Sequence, residues 1–169
     1  MSPDHTEVGG GRWRLRIAVG LVLAAAAVAV WYPSRRPPGG PEDVEVHRCG
    51  SIEVTAQLEE VPSGAIIRRE LYDYATVLKY RVLSAHRGGP LPQTIYVAHY
   101  NPFKARAQAA DKHVQGIGGN VSAFAGGQVH RMALEGAMDR HYMGAIVNKY
   151  LGQDGGAIYW ALWTNLAEP

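Results

Sequence analysis

The chain has 169 residues, room for one domain with its own core, and carries 17 Lys and Arg against 15 Asp and Glu. Five of the basic residues (Arg12, Arg14, Arg16, Arg35 and Arg36) flank one apolar run, so residues 37–169 hold 12 basic and 13 acidic side chains, a net charge of −1. That balance excludes the clustered positive face of a nucleic-acid-binding protein, and a single cysteine, Cys49, excludes an intrachain disulfide framework.

Residues 1–16 form a short polar and basic tail. Residues 17–32, IAVGLVLAAAAVAVWY, contain no charge. As a helix these sixteen residues reach roughly 24 Å, a little short of the ~30 Å hydrocarbon core, with Trp31 and Tyr32 at headgroup level. Three readings stand: a transmembrane anchor with the arginines before it held in the cytoplasm, a signal peptide cleaved after Ala27-Val28-Ala29, or a buried core helix. The first two place the rest of the chain outside the cytoplasm. Residues 33–41, rich in proline and glycine, read as an extended spacer. The domain is expected over residues 42–169.

Val44 and Val46 predict a short first strand. Residues 51–60 alternate, with Ile52, Val54, Ala56 and Leu58 on one face and Glu53, Thr55, Gln57 and Glu59 on the other, which is the period of a half-buried strand. Pro62-Ser63-Gly64 is turn chemistry. Residues 71–85 predict a long strand and residues 94–100 another, with Ile95, Val97 and His99 sharing a face. Asn101 as a cap, Pro102 as the first helical residue and the stripe Phe103, Ala107, Ala110, Val114 predict a helix that stops at Gly116. Residues 128–135 predict a further strand. Asp139 is expected to cap a second helix with Met143, Ile146, Val147, Tyr150 and Leu151 inward. Residues 157–164, AIYWALWT, predict a buried strand.

A helix between the third and fourth of five main strands predicts a mainly β fold, an OB-like Greek-key barrel behind an N-terminal transmembrane helix. Lys79–Val82, the basic loop at residues 86–88 and the I-x-V strand at Ile95, Tyr96 and Val97 resemble the core of netrin-module and inhibitor-like OB domains. The family cysteines are missing, so the metalloprotease inhibition of those modules does not carry over. Residues 126–132, 146–150 and 159–160 also resemble small anchored bacterial envelope proteins associated with polysaccharide modification.

Signatures of a hydrolase elbow, H-E-x-x-H and C-x-x-C are not present, and no cofactor is implied. Gly116, Gly118 and Gly119 follow a predicted helix, the wrong context for a dinucleotide loop. The face of the second and third strands offers Lys79, Arg81, Tyr96 and His99 as ligand contacts, with Trp160 from the last strand. Cys49 with His99 and His130 is the candidate metal set, since imidazoles and a thiolate suit zinc or copper, although no two histidines have the local spacing of a metal site. The leading expectation is a non-enzymatic, membrane-anchored extracytoplasmic domain that binds an envelope protein or glycan. The alternatives are a zinc- or copper-binding accessory protein and an enzyme whose acid–base groups are His99 and His130.

Overall fold

A computed structural model describes residues 41–62, 73–153, 155 and 157–168. The tail, the apolar run at 17–32 and most of the spacer lie outside the described residues. Among the described residues no helix is long and apolar enough to cross a membrane.

The elements run α1 (Pro41–Arg48), β1 (Ile52–Glu60), β2 (Ala75–Arg87), β3 (Thr94–Tyr100), β4 (Gly118–Gly119), β5 (Val129–Glu135), β6 (Ile146–Val147) and β7 (Ile158–Leu166). Five of the strands close on themselves in the order β1-β5-β7-β3-β2, with β2 returning to β1. All neighbours are antiparallel except β3 and β7, which pair in parallel through Tyr96–Ile158 to Ala98–Trp160. Closure depends on the length of β2. Its first half pairs with β3 and its second half with β1, overlapping only at residues 79–81. Register shifts along β1 at three places supply the bending a small barrel needs.

The alternation of β1 does what its period dictates. Ile52, Val54, Ala56 and Leu58 point inward and are buried with Leu78, Tyr80, Ile95, Val97, Met132 and Leu134. A second core lies on the outer side of β2, β3 and β7, where Val77, Ala98, Tyr100 and Trp160 meet Val114, Ile117 and Tyr150 from the connecting segments. Residues 75–80 and 95–100 are therefore covered on both faces, which explains their near-continuous apolar character.

Three predicted elements are corrected. The strand expected at Val44 and Val46 is α1, with Pro41 in its first turn and Val46 fully buried. Arg87 at the end of β2 donates to the carbonyls of His47 and Cys49, each at 2.5 Å, and so places a cation on the helix C-terminus. The helix expected after Asn101 is reduced to a single 3-10 turn over Arg106–Gln108. Asn101 adopts φ 47°, outside the range of an N-cap, and Ala107 and Ala110 are exposed, so the predicted stripe has nothing to bury against. The helix expected after Asp139 is likewise a 3-10 turn over Met138–Arg140. Met143 and Leu151 are 90% and 82% exposed, while Ile146 and Val147 pair in parallel with Ala75 and Thr76 on the free flank of β2.

β4 exists because Gly118 and Gly119 carry no side chain. A Cβ at Gly118 would strike the ring of Trp163, and one at Gly119 would strike the backbone of Thr164, so only glycine lets this segment run beside β7.

Candidate functional site

The barrel has two ends that differ in chemistry. At one end β1 begins, β2 finishes and α1 is docked. There Glu53, 4% exposed, accepts from Arg131 (2.6 and 2.8 Å) and lies 3.1 Å from His47 and 3.5 Å from Arg87. Burial alone would raise its carboxyl; the hydrogen bonds and charges of Arg131 and His47 outweigh it and hold the pKa below the ordinary value.

At the other end, inside the barrel, the hydroxyl of Tyr80 sits 3.1 Å from His99 Nε2 and 3.1 Å from His130 Nδ1. All three side chains are fully buried. The tautomers follow from one unambiguous donor. The Ala125 N–H donates to Gln128 Oε1 at 2.9 Å, which fixes that atom as the amide oxygen. His130 Nε2, 3.1 Å from the same oxygen, must then carry its proton. His130 Nδ1 is left as an acceptor, so Tyr80 donates to it and in turn accepts from His99 Nε2–H. His99 Nδ1 is an acceptor with no partner among the described residues.

Burial pushes the His99 pKa well below the usual histidine value, helped by the nearby Arg106 charge and His130, and burial takes His130 down to about 4. Both imidazoles are therefore neutral at pH 7. Burial drives Tyr80 well above the ordinary tyrosine value, so its proton stays in place. Phe124 closes this end, with its ring 4.7 Å from that of His99 and 5.4 Å from that of His130. The Arg106 guanidinium lies 5.5 Å from the centre of the same ring. Arg106 is 2% exposed and donates to the carbonyls of Tyr100 (2.6 Å) and Asn101 (3.0 Å). Burial lowers its pKa to about 10, which leaves it charged at pH 7.

On the outer side of β2 and β3 an open cleft of 580 Å³ is lined by Asp73, Tyr100, His113, Val114, His141, Tyr142 and Met143, with Gly144 and Ala145. Tyr142 stacks on Trp160 at 5.2 Å with the planes 11° apart. Tyr100 donates to Asp111 at 2.8 Å. Burial would raise the Asp111 carboxyl, but the Val114 N–H, the Tyr100 hydroxyl and the His113 N–H hold it down at about 2. Tyr100, which lines the cleft, is thus held in place by a fixed carboxylate.

The predicted ligand residues divide by strand face. Lys79 and Tyr96 face each other across β2 and β3 on the outer side, with Lys79 3.0 Å from Glu59 and Tyr96 packed on Tyr150 at 5.2 Å. Arg81 is also outward and binds Gln57. Trp160 is outward but buried beneath Tyr142. His99 is on the inner face, out of reach of the other four. The predicted metal set is split in the same way. His99 and His130 converge on Tyr80, whereas the Cys49 thiol is 3.7 Å from Glu45 at the opposite end of the barrel. Opposite β1, Leu134 pairs with Ile52 and His130 with Ala56, four residues or about 13 Å apart along the strand. Among the described residues no three His, Cys, Asp or Glu side chains are grouped to hold a metal ion.

Sequence reasoning overlooked Tyr80 as the group between the histidines, although it stands two positions from Leu78 on the inward face. Arg106 carried no usable signal, because it falls within a run that reads as a helix surface. Comparison of the chain with known protein families, with curated proteins and with solved structures returned no match.

Proposed function

We propose that the domain is a non-enzymatic binding module, held at the membrane by residues 17–32, which takes an envelope protein or glycan partner on the outer side of β2 and β3. The 580 Å³ cleft carries this reading. Tyr96, Ala98 and Tyr100 alternate onto one face, so the cleft at Tyr100 and the strip of Lys79, Arg81 and Tyr96 lie on the same surface. The arrangement suits a polar polymer or peptide, since rigid aromatic rings bind at low entropy cost beside carboxylate, imidazole and ammonium groups.

The strand order supports an OB-like assignment for the barrel: a long second strand shared between two neighbours, a closing first strand, and a parallel third and last pair. OB barrels bind oligosaccharides and oligonucleotides across the second and third strands, and the charge of −1 over residues 37–169 favours a partner other than a polyanion.

A photo-cross-linker placed at Met143, which is 90% exposed beside the cleft, should capture an envelope component in intact cells. The same group at Leu83, 45% exposed on the distal half of β2, should not. Equal capture at both positions, or recovery of residues 42–169 in the cytoplasm, would reject the reading.

A further inference from the structure

A second cavity, of 210 Å³, sits at the mouth of the barrel, away from the outer cleft. Its walls are apolar: Val61, Leu78, Pro102, Phe103 and Phe124. One wall residue breaks the pattern. Thr76 is 1% exposed, and its Oγ1 has no hydrogen-bond partner among the described residues. An unpaired buried hydroxyl is costly, and valine would fill the same volume without that cost. Directly across from Thr76 in the β2–β3 register is His99, whose Nδ1 is also unpaired among the described residues, as are Asn101 Oδ1 and Arg106 Nε nearby. Residues paired in this way have Cβ atoms about 5 Å apart on the same face. Phe124 both lines the cavity and packs on His99, so its ring lies against both the cavity and the imidazole.

We propose that the barrel mouth is a binding site for a small, mostly apolar molecule bearing one hydroxyl or amide group, with the apolar body against Phe103, Phe124 and Leu78 and the polar group on Thr76 Oγ1. An apolar pocket with one or two convergent polar atoms in the mouth of a β-barrel is a recurrent form of small-molecule site. The tautomer fixed at His99 makes its Nδ1 an acceptor, so the group preferred at this end of the cavity is a donor. The charged ligand classes are disfavoured, because the cavity walls contain no ionised side chain.

Phenol tests this, with toluene as the isostere that lacks the hydroxyl. Backbone amide resonances of the full chain are followed while each is titrated to about 5 mM, within the solubility of toluene and enough to detect binding near the 1 mM range. Phenol should shift the amides of Thr76, Ala123 and Phe124 and bind at least fivefold more tightly than toluene. In Thr76→Val the preference for phenol should shrink to within about twofold, while toluene affinity and the thermal midpoint are unchanged or raised. Absence of shifts at these residues, equal affinity of the two compounds in the natural chain, or a phenol preference that survives Thr76→Val would each overturn the assignment. Should Thr76→Val fold poorly, Phe124→Leu supplies the second arm: it retains the hydroxyl and must keep the phenol preference while changing the affinity for both compounds.

Discussion

The inner and outer sides of β2 and β3 are built from the same two strands and solve burial in opposite ways. Inside, three ionisable groups are buried without charge, because Tyr80 bridges His99 and His130 and desolvation keeps both imidazoles neutral. Outside, the strands are covered by connecting segments that attach through rings, Tyr142 on Trp160 and Tyr150 on Tyr96, and charged groups remain at the margins. The outer layer carries Met143 and Leu151 in water and has room for a partner. The proposed partner surface is the side of the strands where burial is least complete.

The contrast is broken most severely at Tyr80. Removing the ring in Tyr80→Ala should cost about 3–5 kcal/mol by denaturant titration, through the cavity and two stranded imidazoles. Tyr80→Phe should cost about 1–3 kcal/mol, since only the hydroxyl is lost and His130 Nδ1 is left unpaired.

Acid attacks the same cluster. Both histidines have folded pKa values below the unfolded value of about 6.5, so the unfolded chain takes up protons first as pH falls. Their contribution is complete above about pH 6.5 and declines below it, for His130 until pH reaches about 4. Each should add a slope of about 1.4 kcal/mol per pH unit in that window. Denaturation midpoints at pH 7 and pH 5 measure it, and His130→Gln should remove one share of the slope.

At the far end of the barrel, Glu53→Gln should cost roughly 1–3 kcal/mol at pH 7, because Arg131 and Arg87 lose a buried acceptor. Glu53 has a lowered folded pKa, so its contribution is present above the unfolded carboxylate value and fades as pH falls through the folded one. The penalty of Glu53→Gln relative to the natural chain should therefore shrink towards acid.

The smallest effect belongs to the outer layer. Met143→Ser and Leu151→Ser should change stability by less than about 0.5 kcal/mol, since both side chains are already solvated. Loss of partner capture with Met143→Ser at unchanged stability would separate binding from folding on that surface.

Much of the barrel was legible in the chain. The five main strands follow from period-two alternation at Ile52–Glu60 and from β-branched and aromatic runs elsewhere. The helices were not. The stripe from Phe103 to Val114 and that from Met143 to Leu151 have the spacing of a helix face, but a stripe predicts a helix only where a surface is available to cover it. Here the outer surface of β2 and β3 is covered instead by single rings and by β6, and Asn101 turns the chain into a left-handed conformation that no helix start tolerates. Conversely, α1 was missed because Val44 and Val46 suggest alternation, while only Val46 is buried and Val44 is 40% exposed.

The sequence by itself determined what depends on near neighbours: the near-neutral charge after residue 36, the alternating faces, the face shared by Ile95, Val97 and His99, and the lack of an intrachain disulfide. Tertiary structure alone decided which distant residues meet. His99 and His130 come from strands that are not adjacent in the barrel, and Tyr80 joins them only because β2 is long enough to pair with both β3 and β1. Thr76 and His99 become a pair of unpaired polar atoms only through the β2–β3 register. A one-residue slip in that register would reverse every face, and nothing local in the chain specifies it; the closure of the barrel does.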